Sequence, residues 1–144
     1  MSEATFEAIT VGATGAKTLV VDVEHTAAHW GSGSLNVLST PHMVALMEGA
    51  AVAAVDPLLP EGYQTVGTRL DVRHVAATPM GQKVTARAEL TAIDGRRLVF
   101  RVEATDGAGV IGEGIHERFI IAVERFLSRA QARGGRLSVV RPRV

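Results

Sequence analysis

From Ser39 to Leu59 the chain reads STPHMVALMEGAAVAAVDPLL, apolar along most of its length, with Glu48 the single acid before the closing Asp56-Pro57. Thr40 suits an N-cap and Pro41 suits the first turn, so the pattern predicts a helix from about Pro41 to Val55. Met43, Leu46, Met47, Ala50, Ala51 and Ala54 make a broad apolar face, and Val44, Val52 and Val55 widen it. Such a helix is expected to be wrapped by other structure. Asp56-Pro57 ends it, and Pro60-Glu61-Gly62 turns the chain. The flanking segments carry a different period. Lys17 to Thr26 is rich in Val and Thr and reads as a strand. Ala27 to Ser39 follows neither period and reads as a loop or a short irregular helix. From Val66 onward the alternation is of period two. Strands are expected at Val66–Ala76, Gln82–Ile93, Arg97–Thr105 and Val110–Val123, with hairpin turns at Asp94-Gly95 and Asp106-Gly107.

One apolar helix, preceded by one strand and followed by four, suits an α+β fold in which an antiparallel sheet wraps around one central helix. The single thin sheet leaves an edge that needs cover, and a symmetric homodimer would supply it. The 144 residues suffice for one domain, taken as residues 1–128, with a basic C-terminal tail over 129–144 read as a frayed end.

Composition narrows the function. Lys+Arg and Asp+Glu are both 15, so no global charge favours nucleic acid or an anionic membrane. With no cysteine, disulfides, thiolate catalysis and Cys-ligated zinc are excluded. The opening MSEATFEAIT contains acids and no apolar core, so no secretory signal is expected and a cytoplasmic location is. No apolar run reaches membrane-span length. Gly107 to Gly112 fits GxGxxG on paper but lies between two strands, where a dinucleotide fingerprint does not belong. No catalytic metal is expected. His25 and His29 have helical spacing in or beside a predicted strand, and His116 and Glu117 point to opposite faces of one.

The remaining candidates for chemistry are Thr40, Glu48 and His74. A carboxylate is seldom buried without a partner, and Glu48 interrupts an apolar helix. Thr40 lies eight residues earlier, about 12 Å along the axis and about 80° around it. His74, on the strand after the helix, would make an acid–base pair with a carboxylate near neutral pH. Taken singly, Thr40 reads as a cap and His74 as an ordinary strand histidine. Trp30 is either an apolar plug or a lid over a pocket. Met43 and Met47 offer flexible walls to such a pocket.

The combination of Thr40-Pro-His-Met-Val-Ala-Leu-Met-Glu48, Val66-Gly-Thr68, His74-Val-Ala-Ala-Thr-Pro-Met-Gly81, Asp94-Gly-Arg-Arg-Leu98 and Gly112-Glu-Gly-Ile-His-Glu-Arg-Phe119 resembles the fluoroacetyl-CoA thioesterase-like branch of the hot-dog thioesterases. The resemblance spans roughly Gly15 to Leu127. It implies a hot-dog homodimer that hydrolyses small acyl-CoA thioesters without metal or separate cofactor, CoA being part of the substrate. It implies Thr40, Glu48 and His74 as catalytic residues, Gly67 beside the thioester, and Arg118 beside the coenzyme. Fluoroacetate-selective members carry phenylalanines in the segment before the helix, and Ala27 to Ser39 has none. Short acyl groups without strong fluorine selectivity are therefore expected. The alternatives are a non-catalytic acyl-CoA-binding protein and a hot-dog enoyl-CoA hydratase. A hydratase uses an Asp/His pair, for which the helix offers no aspartate near His42.

Overall fold

The computed structural model describes residues 5–138. The strands are β1 (Thr14–Val20), β2 (Tyr63–His74), β3 (Lys83–Asp94), β4 (Arg97–Asp106) and β5 (Gly109–Ala122). The α-helices are α1 (Ala27–Trp30), α2 (Thr40–Val55) and α3 (Val123–Ser138). All strand pairings are antiparallel, in the order β1-β3-β4-β5-β2. The sheet packs around α2, which is the expected hot-dog arrangement.

Alternation sets the inner face. Val84, Ala86, Ala88 and Leu90 of β3 and Leu98, Phe100, Val102 and Ala104 of β4 are buried against α2. From the helix come Met43, Leu46, Met47, Ala50, Ala51, Ala54 and Val55. Both hairpin turns fall where their Asp-Gly signals lie. Asp94 pairs with Arg97 across Gly95-Arg96, and Asp106 pairs with Gly109 across Gly107-Ala108. The Asp106 carboxylate accepts hydrogen bonds from the Ala108 and Gly109 amides, which locks the second turn.

Four expectations change. The first strand ends at Val20 because Asp22 caps a 3₁₀ turn, Val23–His25, through a reciprocal bond with His25. The cap of α2 is Ser39, whose hydroxyl accepts from the His42 amide, so Thr40 is the first helical residue and its side chain is spared. The helix is less enclosed than its composition predicts: Val44, Glu48 and Val52 are half-buried, while Ala45 and Ala53 are exposed. Finally, the segment after Arg129 does not fray within the described residues, because α3 runs to Ser138 across the expected domain boundary.

Close backbone approach explains three glycines. A Cβ at Gly15 would strike the α2 backbone at Ala50 and Ala54. One at Gly112 would strike Met43 and the Arg73 carbonyl, and one at Gly114 the Asp71 carbonyl. The β4–β5 register also slips at Ala104/Thr105, opposite Gly112, so this part of β5 is irregular as well as close-packed. Gly15→Ala is expected to cost about 1–3 kcal/mol, as overpacking does when the obstacle is backbone. Thermal or urea unfolding of the variant measures this, and wild-type stability would contradict the contact.

Candidate active site

The polar candidates fall into two clusters. At the helix entrance, the Thr40 hydroxyl lies 2.8 Å from His74 Nδ1. The Ser39 cap leaves that hydroxyl available, and β2 ends at His74, which brings the ring to it. The other ring nitrogen, Nε2, is buried without a hydrogen-bond partner. Burial lowers the His74 pKa below the ordinary histidine value, with a backbone contact at Ala76 acting in the opposite sense. The ring is thus neutral near pH 7 and able to take a proton. Beside the pair opens a cavity of about 340 Å³, walled by Ala27, Leu35 and Val37 on one side and by Thr40, His74 and Ala76 on the other.

The second cluster lies two turns along α2. Glu48 Oε2 accepts from Arg118 Nη1 at 3.2 Å. Arg118 is almost fully buried. Its Nε donates to the Thr65 hydroxyl at 2.8 Å and its Nη2 to the Thr65 carbonyl at 3.0 Å. The Thr65 hydroxyl donates in turn to Asp56 Oδ1 at 2.6 Å. Arg118 Nη1 also lies 3.1 Å from Nε2 of His116, a ring with no exposed surface. Gly67 faces the same carboxylate, and a Cβ there would collide with Glu48 Oε2. The β2–β5 register slips between Gly67 and Arg69, so the bulge falls directly beside this contact.

The resemblance implies Thr40, Glu48 and His74 as one catalytic set. Within one chain, no hydrogen bond among the described residues joins the two clusters, as the eight-residue helical step implies. Glu48 is not enclosed either: its side chain is 36% exposed, so it is presented at a surface rather than sealed in. The resemblance implies Arg118 beside the coenzyme. Within the chain it is an internal residue that donates to Thr65, His116 and Glu48. Met43 is fully buried core. Trp30 is half-exposed, donates its indole N–H to the Glu24 carbonyl at 2.7 Å, and meets His42 edge-on. Neither Trp30 nor Met43 lines the cavity at Thr40 and His74.

His116, Thr65 and Asp56 were not among the candidates. The signal for His116 was present: it sits two residues from Arg118 and four from Ile120, on the inner face of an alternating strand. Of the two histidines with helical spacing, His25 packs against His42 with ring centroids 4.4 Å apart. No group of three or more potential metal ligands occurs among the described residues. No described helix is long and apolar enough to cross a membrane.

A single central helix held in a curled antiparallel sheet is the hot-dog architecture, and its relatives place this chain among the hot-dog thioesterases. A family profile described as "Fluoroacetyl-CoA-specific thioesterase" matches residues 21–124, and the chain belongs to this family. It is 47% identical over 95 residues to the fluoroacetyl-CoA thioesterase of Streptantibioticus cattleyicolor, covering 66% of this chain and 68% of that protein. A solved structure of fluoroacetyl-CoA thioesterase FlK aligns with a TM-score of 0.80 at 39% identity, covering 86% of this chain and 96% of that one. A thioesterase superfamily member from Thermus thermophilus aligns with a TM-score of 0.84 at 28% identity, covering 91% and 97%.

Burial is also the main cause lowering the pKa of His42 and of His116. For all three histidines the unfolded chain takes up a proton before the folded one does. Stability should therefore hold above about pH 6.5, the ordinary histidine value, and fall as pH drops below it. Melting temperature measured between pH 8 and 5 should show that decline. A flat profile would place these rings in wetter surroundings than described.

Proposed function

We propose that the protein hydrolyses short-chain acyl-CoA thioesters to the free acid and CoA, with Glu48 as the reacting carboxylate and no metal. The observation that carries this reading is the posture of Glu48. Arg118 fixes Oε2, no hydrogen bond among the described residues reaches Oε1, and the side chain stands partly exposed. A carboxylate so held is ready to attack a thioester carbonyl, or to take a proton from water that does. Variants of FlK have been solved with fluoroacetate and CoA and with acetyl-CoA, which shows that the relative accommodates such ligands. His74, neutral at rest and hydrogen-bonded to Thr40, accepts the proton shed by water during hydrolysis, directly or from Glu48, and delivers it to the CoA thiolate. The Gly67 amide, beside the bulge, is the donor suited to the developing oxyanion. A CoA-ester substrate goes with a cytoplasmic enzyme, and that location is part of the proposal.

The cavity beside Thr40 and His74 has apolar walls and no phenylalanine. Acyl groups of roughly two to six carbons suit it. Each buried methylene contributes only about 0.8 kcal/mol, so discrimination among them should be gentle. A free-thiol assay over acetyl-, fluoroacetyl-, butyryl- and palmitoyl-CoA tests this. Glu48→Gln should lose roughly 10²-fold or more in turnover per folded molecule, beyond what the lowered melting temperature from Arg118 losing its counter-charge explains. No thiol release from any ester by folded protein would favour an acyl-CoA-binding role. Loss of enoyl absorbance without thiol release would indicate a hydratase. A 10⁴-fold preference for fluoroacetyl, or a best rate with palmitoyl, would overturn the substrate reading.

A homodimer is the second half of the proposal. Among the described residues β2 is a sheet edge, and the flank of α2 holding Val44, Glu48 and Val52 is only partly covered. A second copy paired along β2 would cover both. It would also bring Thr40 and His74 of one copy toward Glu48 of the other, uniting clusters that stand apart in one chain. Light scattering should give twice the chain mass. Mixing Glu48→Gln with His74→Ala by refolding should restore about a quarter of wild-type activity if each site draws on both copies. No recovery in a mixture containing heterodimers would confine each site to one chain.

A further inference from the structure

We infer that His116 is a positioning residue for the hydrolysis, holding the Arg118 guanidinium against Glu48 as a neutral ring protonated on Nδ1. The inference rests on Glu48 being the reacting carboxylate. The tautomer follows from the partners. His116 Nδ1 lies 2.8 Å from the Arg69 carbonyl oxygen, which can only accept, so Nδ1 carries the proton. In a neutral imidazole the other nitrogen then has a lone pair, and Nε2 meets Arg118 Nη1, which can only donate. Each nitrogen thus faces the one kind of partner it can satisfy.

The same Nη1 group donates to Glu48 Oε2. Its two hydrogens therefore divide between the histidine and the carboxylate, and His116 decides how the fork is turned. A ring protonated on Nε2, or on both nitrogens, would set donor against donor and push the guanidinium from its place. Burial opposes the charged form first; the Arg69 carbonyl favours it, the Arg118 charge opposes it, and Glu48 and Glu117 favour it. The 3.9 Å approach of His116 Nε2 to Glu48 is accordingly not an ion pair. The Arg69 carbonyl belongs to the strand residue just past the bulge beside Gly67, so His116 also ties the bulge to the carboxylate.

Three substitutions separate positioning from filling. His116→Leu fills the space and removes the acceptor. His116→Gln places an amide oxygen near the position of Nε2. His116→Asn reaches only as far as Nδ1. Turnover should fall about 10-fold or more in the Leu and Asn variants with KM little changed, and the Gln variant should recover most of it. Long-range ¹H–¹⁵N NMR of the wild-type imidazole should show the Nδ1–H tautomer at neutral pH. An Nε2–H tautomer or an imidazolium overturns the inference. So do wild-type kcat in all three variants, or losses in all three that only follow their melting temperatures. Should the Leu variant fail to fold, the Gln and Asn comparison and the tautomer decide. Glu48→Gln is measured alongside. Its loss of turnover together with undiminished kcat in the His116 variants overturns this inference alone, whereas its retained turnover overturns the role of Glu48.

Discussion

Arg118 carries a permanent charge into the inner face of the sheet, and the site is arranged around what that charge requires. Taking an ion out of water costs several kcal/mol unless charge and hydrogen bonds are returned to it. Thr65 returns two bonds, one from its hydroxyl and one from its carbonyl, and Asp56 orients that hydroxyl. His116 returns a neutral acceptor. Only one of these direct partners is an anion, and it is Glu48. The carboxylate is thereby the counter-charge of a buried cation, which fixes its position without consuming both oxygens. A planar five-donor group suits this better than lysine would, since its donors reach three separate residues at once.

The backbone makes room for this arrangement. The β2 strand can approach α2 at Gly67 because no Cβ intervenes between the strand and the Glu48 carboxylate. The neighbouring bulge re-aims the Arg69 carbonyl toward His116. On the opposite side of the helix, Gly15 lets β1 lie on the α2 backbone. The small residues of α2 thus serve proximity as much as helix propensity. Its sequence of alanines and one glycine lets strands come close where larger side chains would hold them off.

The helix entrance is organised by a division of labour between adjacent hydroxyls. Ser39 satisfies the first-turn amide, and Thr40 turns to His74. This chain, a member of the family of fluoroacetyl-CoA-specific thioesterases, carries both polar clusters. It walls the entrance cavity with Ala27, Leu35 and Val37. Both clusters are held by charge and hydrogen bonds, while the entrance cavity is shaped by small and aliphatic side chains.

Much of the fold was legible because its signals are local. Period-two alternation marked the four later strands, and the two Asp-Gly dipeptides placed their hairpins to the residue. The lone acid in an apolar run drew attention to Glu48. What escaped depended on neighbours distant in sequence. Two consecutive hydroxyls, Ser39 and Thr40, can each cap a helix, and only the position of His74, 34 residues on, showed which one is spared. The burial of Arg118 was not legible because a strand pattern does not say which face is inner until the sheet has curled around the helix. Its partner Thr65 is 53 residues away and Glu48 is 70. The separation of Thr40 from Glu48 was already contained in the helical pitch. That two such clusters occupy one wall of the fold, with a sheet edge left open beside them, was decided by tertiary structure alone. Strand order follows from long-range pairing, which no local period encodes.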